Sequence, residues 1–188
     1  FSGLLKITLG AYHYIENILS EFPMDNALLS PLLSPDDLEL EETVSLGVMA
    51  SGSGTNFEAL AEAIAQKRLN AEIKVLIYNN PQAKVQERAK KWGIPAVLLN
   101  HREWKPRKVL DGKIVEVLRE YGVKWVIMAG WMRIITPVLL DAFPNHVINI
   151  HPSLLPSFKG VDGVGDALKA KVKITGCTVH IATSEVDN

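Results

Sequence analysis

Val44-Ser45-Leu46-Gly47-Val48-Met49-Ala50-Ser51-Gly52-Ser53-Gly54-Thr55-Asn56 is the stretch whose reading decides the fold. Residues 44–50 are a short apolar run that reads as a strand, and residues 51–55 form a Gly-rich turn. Residues 56–66 then place Phe57, Leu60, Ala61 and Ile64 on one helical face. A strand that passes through a tight turn into a helix is the opening unit of an alternating α/β chain.

The alternation continues outward. A second strand over 73–78 ends in Asn79-Asn80-Pro81, and a helix carrying Val85, Ala89 and Trp92 stops at Gly93. Residues 95–99 read as a third strand. Residues 106–121 form a helix with Leu110, Ile114, Val117, Leu118 and Tyr121 on one face, ended by Gly122. Residues 123–129, apolar except for Lys124, have the character of a strand buried on both faces. After Gly130 the pattern predicts a loop, a short helix over 137–142, a strand over 147–150, a helical turn at 167–170 and a longer strand over 174–183. The expected fold is α/β, with a mostly parallel open sheet and helices on both faces. Residues 1–43 differ: a short amphipathic segment over 11–20 is followed by a Pro-rich, acidic stretch around Pro31 and Pro35. They are expected to be an extension or linker, with residues 44–188 as the domain.

Composition narrows the function. The 188 residues are 47% hydrophobic and 22% charged, with a net charge of −1, which gives no basic excess for a nucleic-acid partner. No membrane span and no secretory or transit signal is read. The single Cys177 falls in an apolar stretch, so it is expected in the core, and no His or Cys pair has metal-ligand spacing. Of the histidines, His13 and His101 are expected to be exposed, His146 to be structural, and His180 to line a cleft.

Four places could carry chemistry. In the turn at 51–56, glycines allow close backbone approach, and the free N–H groups of a helix start attract an anion. A Walker loop fails because Thr55 and Asn56 stand where its Lys and Ser/Thr belong. A dinucleotide fingerprint fails because Phe57 replaces its third glycine and Asn79 and Asn80 stand where its acidic residue belongs. A single phosphate monoester remains, beside the plain alternative of a capped tight turn. Gly130-Trp131-Met132-Arg133-Ile134-Ile135 leaves the carboxyl end of a buried strand and could receive a flat heterocycle, or simply pack beneath the sheet. Arg107, with Lys105 and Lys108, opens a helix where positive charge opposes the macrodipole. An anionic ligand tail would offset that placement, and a solvated basic turn is the other explanation.

The fourth place is Asn149-Ile150-His151-Pro152-Ser153-Leu154-Leu155-Pro156. Asn149 and His151, two apart on a strand, share a face at the end where open α/β sheets bind ligands. There an amide can hold a carbonyl oxygen and an imidazole can move a proton. A capped surface histidine in a Pro-bounded turn is the alternative. Asp187 would orient the imidazole if the fold brings it to His151.

Asn149–Pro156 resembles the signature of the folate-dependent formyltransferases. Together with 51–56, Ala129-Gly-Trp-Met-Arg-Ile134 and Thr175-Gly-Cys-Thr-Val-His180, it is most similar to the glycinamide ribonucleotide branch, over about residues 44–188. The resemblance implies a Rossmann-like formyltransferase fold and transfer of the formyl group of 10-formyltetrahydrofolate to the amine of glycinamide ribonucleotide. It implies Asn149, His151 and Asp187 as the catalytic set, and Gly54, Thr55 and Asn56 at the phosphate. Arg107, Met132, Arg133, Ile134, Ile135 and Asn149 would hold the folate, and no metal is implied. The partners are therefore small molecules, with neither nucleic acid nor membrane. Sugar-nucleotide or tRNA acceptors, or an inactive ligand-binding homologue, are the alternatives. The chain departs from the family at Val164, where a histidine is common, and it stops where the family continues through further strands and a closing helix. The domain is thus expected to be incomplete at its C-terminus and poorly active by itself. Cytoplasm is the expected compartment, with the plastid stroma as the alternative.

Overall fold

The structure is a computed structural model and describes residues 43–185. The expected extension up to residue 42, with its segment 11–20 and His13, lies outside the described residues, as does Asp187. Six strands, β1 (Val44–Ala50), β2 (Ala71–Tyr78), β3 (Ala96–Leu98), β4 (Trp125–Met128), β5 (Val147–His151) and β6 (Thr178–Ile181), form one sheet in the order β3-β2-β1-β4-β5-β6. Pairing is parallel from β3 through β5, and β6 runs antiparallel to β5. The described helices are α1 (Thr55–Ala65), α2 (Val85–Lys91), α3 (Arg107–Glu120), α4 (Pro137–Ala142) and α5 (Gly163–Lys169). The mostly parallel α/β sheet expected from the alternation is therefore present.

Alternation along β1 distributes its side chains between two core layers. Leu46, Val48 and Ala50 pack with Phe57 and Leu60 of α1 and with Val85 and Ala89 of α2. Met49 faces the other way, onto Leu110, Ile114 and Leu118 of α3 and Leu139 of α4. Covered on both faces, β1 can be apolar at nearly every position, which is why its run was legible. Phe57 is fully buried, and burial of such a side chain stabilises by about 1.5–3 kcal/mol.

Four expectations are corrected. The last strand covers only Thr178–Ile181 rather than 174–183, and Ile174 and Cys177 are exposed. Thr178 pairs with His151, and the residue beyond His151 is Pro152, which has no N–H to extend the ladder. Cys177 is consequently a surface thiol at the mouth of β6, not a core residue. The helix expected at 167–170 begins a turn earlier, at Gly163, because the Asp162 side chain accepts from the Gly165 N–H at 3.1 Å and caps it. His101 is half-buried rather than exposed, with Nδ1 2.7 Å from the Asn79 carbonyl oxygen. His146 packs against Trp125, with ring centroids 4.3 Å apart and the planes tilted by 54°.

A buried acid joins α1 to α2. Glu58 accepts from Lys91 Nζ at 2.6 Å, Trp92 Nε1 at 3.0 Å and Arg88 Nη1 at 3.1 Å. The hydrogen bond from Lys91, helped by those from Arg88 and Trp92, holds the carboxyl at about 2 against the opposite pull of burial. A folded-state value below the ordinary 4.5 contributes stability that is complete above 4.5 and is lost as pH falls towards 2. Glu58→Gln should therefore be less stable than the parent at pH 7, with the gap closing between pH 4.5 and 2 in urea denaturation series. A gap independent of pH would show that the carboxylate is not what stabilises.

Candidate active site

A cleft of about 280 Å³ opens beyond the carboxyl ends of β4 and β5. Its walls come from the loop after β4 (Gly130–Ile135), the end of β5 (Asn149–Pro152), Gly160 and Val161, and β6 with the residues after it. This is beside the point where strand order turns from β1 outward in both directions, the usual ligand crevice of such sheets. Two hydrogen bonds fasten the turn after β1 to the loop after β4. Ser51 N donates to the Gly130 carbonyl at 3.0 Å, and Met132 N donates to Ser51 Oγ at 2.9 Å.

Asn149 and His151 both line the cleft, as expected from their spacing. Asn149 Nδ2 lies 3.2 Å from Nε2 of His180, its register partner on β6. An amide nitrogen can only donate, so in this orientation the imidazole nitrogen accepts and His180 carries its proton on Nδ1. His151 is 4% exposed, and its Nε2 donates to the Phe158 carbonyl at 2.9 Å. That carbonyl accepts equally well from a neutral or a protonated ring, so the ring's orientation survives the arrival of a proton. Gly163 leaves room for it, since a Cβ there would stand 3.1 Å from the Phe158 oxygen and 3.3 Å from His151 Nε2.

The segment after His151 is built to hold that carbonyl. Ser153, fully buried, donates from Oγ to Ser157 O at 2.5 Å and also lies 3.3 Å from Phe158 O. Thr178 Oγ1 donates to Ser153 O at 2.7 Å and accepts from Leu155 N at 3.0 Å, tying the loop to β6.

Met132, Arg133, Ile134 and Ile135 all reach the cleft, and Met132 and Ile134 are 70% and 53% exposed. Trp131 Nε1, Arg133 Nε and His180 Nδ1 are buried and have no hydrogen-bond partner among the described residues. Large exposed apolar side chains beside unsatisfied donors suit a flat ligand with acceptors on its edge. Arg107 is exposed at the start of α3 and does not line the cleft. Val164 is 55% exposed on α5 and is likewise absent from the walls. No group of three or more His, Cys, Asp or Glu positioned to hold a metal occurs among the described residues.

Gly54, Thr55 and Asn56 stand apart from these walls at the N-terminus of α1. Gly54 has φ 75°, and a Cβ there would come within 2.4 Å of Val85, so only glycine lets α2 approach the turn. No side chain caps α1, which leaves its first-turn N–H groups for an anion.

One residue that sequence reading missed supports the cleft loop. Asp111, 2% exposed, accepts from Thr136 N at 2.5 Å, at the start of α4. Burial pushes its carboxyl above the ordinary 3.8, opposed by the Thr136 hydrogen bond and by the charges of Arg133 and Arg107. A polar residue inside the apolar face of α3 was the available signal.

Fold, cleft and paired amide and imidazole together define a class, and residues 45–188 match the family described as formyl transferase. The chain belongs to the formyl transferase family. It is 41% identical over 140 residues to Bacillus subtilis phosphoribosylglycinamide formyltransferase, covering 74% of this chain and 72% of that protein. It is 32% identical over 174 residues to the human trifunctional purine biosynthetic protein adenosine-3, covering 92% of this chain and 17% of that one. Among solved structures, glycinamide ribonucleotide transformylase 1 from Symbiobacterium toebii superposes with a TM-score of 0.76 at 39% identity, over 77% of this chain and 68% of that one.

Asp111→Ala should destabilise by about 1–3 kcal/mol, because it leaves the Thr136 N–H unsatisfied. Asp111→Asn should cost less, since its amide oxygen still accepts. A raised folded-state pKa favours folding at low pH, so the parent should gain on Asp111→Asn below about pH 3.8 and lose that gain as pH rises through the folded value. Urea denaturation across pH measures both, and equal costs for Ala and Asn would remove the hydrogen bond from the account.

Proposed function

We propose that this protein is a phosphoribosylglycinamide formyltransferase, moving the formyl group of 10-formyltetrahydrofolate to the amine of glycinamide ribonucleotide in purine synthesis. The observation that carries the reading is the pair Asn149 and His151, side by side at the carboxyl end of β5 on the cleft. The relatives' names point to the same acceptor.

The Asn149 amide has two N–H groups. With one directed to His180 Nε2, the other is available to the oxygen that becomes an oxyanion when the amine adds to the formyl carbon. His151 takes the proton that the amine loses and returns it to the departing folate nitrogen. The Phe158 carbonyl keeps the ring in place through both transfers. With Nε2 held by the Phe158 carbonyl, Nδ1 is the nitrogen that carries the proton, and Asp187, which follows β6 in the chain, is assigned the role of balancing the charge of the imidazolium. No covalent enzyme intermediate is needed. Met132 and Ile134 give the folate ring an apolar wall, while Arg133 and Ile135 close the loop around it. Arg107, outside the cleft wall, is assigned to the far, anionic end of the folate. Gly54, Thr55 and Asn56 are assigned to the phosphate of the ribonucleotide.

Loss of the formyl group from 10-formyltetrahydrofolate, followed by absorbance with the full-length protein, should require glycinamide ribonucleotide. Release without the acceptor, or none with it, would sink this reading. His151→Ala should lower kcat by about 10²–10⁴-fold, and Asn149→Ala by about 10²–10³-fold, with ribonucleotide binding nearly unchanged. An equal loss of binding by His151→Ala would make that histidine structural.

A further inference from the structure

The turn that precedes α1 is held from behind by α2. Val85 N donates to the Gly52 carbonyl at 3.2 Å, and Arg88 Nε donates to the Ser53 carbonyl at 2.8 Å. Both peptide units are trans, so each carbonyl points opposite to the N–H of the next residue. With the two carbonyls turned towards α2, the N–H groups of Ser53 and Gly54 are turned away from it. None of the N–H groups of Ser53, Gly54, Thr55 and Asn56 has a hydrogen-bond partner among the described residues.

Arg88 is itself held. Its Nη1 lies 3.1 Å from Glu58, the buried acid in the first turn of α1 that also takes Lys91 and Trp92. A carboxylate one turn into a helix would repel an anion arriving at that helix's N-terminus. Two cations against one carboxylate leave this cluster with one net positive charge, which removes the repulsion.

We propose that Arg88, clamped by Glu58, is a positioning residue for the phosphate cradle at Ser53–Asn56, fixing the Ser53 carbonyl so that the Gly54 N–H faces the ligand. This rests on the assignment of that turn to the ribonucleotide phosphate. Two of the three guanidinium nitrogens of Arg88, Nε and Nη1, are committed to Ser53 and Glu58, so the side chain is fixed from behind the turn. Its loss acts twice: it frees the peptide to turn, and it takes the cluster from one net positive charge to none, with Lys91 still paired to Glu58.

Arg88→Met in the full-length protein should raise the KM for glycinamide ribonucleotide roughly tenfold or more, the effect of losing one charge-assisted contact. The kcat and the KM for the folate should stay within about twofold, and Arg88→Lys, which keeps the charge, should restore part of the loss. A KM for the ribonucleotide unchanged by Arg88→Met, or a fall in kcat of the same size, would overturn the proposal. Titration with ribose 5-phosphate and with ribose, read at the backbone amides of Gly54 and Thr55, separates the two layers of inference. If the parent shows no preference for the phosphorylated sugar, the phosphate assignment itself fails. If it does, and Arg88→Met retains the same affinity, the phosphate assignment stands and the positioning role of Arg88 fails.

Discussion

Parallel pairing is the constraint from which the rest of this molecule follows. A parallel neighbour cannot be reached by a tight turn, so the chain returns over a face of the sheet before each new strand. Every loop that leaves a strand from β1 to β5 therefore emerges at the same edge. The turn at Ser51–Gly54, the loop at Gly130–Ile135 and the segment beginning at Pro152 are widely separated in sequence and neighbours in space. The hydrogen bonds from Ser51 N to Gly130 O and from Met132 N to Ser51 Oγ make the first two one unit. The proposed phosphate and folate positions are consequently coupled through one backbone–backbone bond and one to the short Ser51 side chain.

The second constraint is Pro152. It stops β5 immediately after His151 and, with no N–H to give, stops the antiparallel β6 opposite. His151 thus sits on the last ladder position, held by the sheet on one side and open to loop contacts on the other. The chain then folds back so that the Phe158 carbonyl meets the ring, with Ser153, Thr178 and the side-chain-free Gly163 packed around that contact. A histidine whose position is determined by both a strand and a loop needs little reorganisation when it gains or loses a proton.

What could be read from the chain divides along the same physical line. β1 and α4 were legible to the residue, because a doubly buried strand and a Pro-started helix leave strong local patterns. The cleft loop and the Asn149 and His151 pair were legible because two-residue alternation places both on one face. β6 was over-read because its apolar residues Ile174 and Cys177 say nothing about whether β5 offers them a partner. The start of α5 was hidden by Gly163 and Gly165, although Asp162 was a valid cap. Glu58 and Arg88 were not singled out, since each looks like an ordinary polar position on an amphipathic helix, and Asp111, although it falls within the apolar face of α3, has no local partner to mark its role. Only the packing of α2 on α1, and of α3 on the cleft loop, gives them partners.

The distribution of unsatisfied groups argues for where binding energy resides. A buried donor without a partner costs about 1–3 kcal/mol, and proteins keep few of them. Here Trp131 Nε1, Arg133 Nε and His180 Nδ1 all belong to residues of one cleft, whereas the equally buried Glu58 is fully supplied with donors. Asn79 Oδ1 and Thr136 Oγ1 are also buried without partners and lie outside the cleft walls, so the division concerns nitrogen donors: the side-chain nitrogens left open among the described residues converge on the cleft, where a ligand can supply acceptors. His180 serves both ends of this division: its Nε2 steadies Asn149 while its Nδ1 waits for an acceptor. A ligand that satisfied Nδ1 would fix the imidazole and, through it, the Asn149 amide proposed to hold the reacting carbonyl. Binding and orientation of the reacting group would then be the same event.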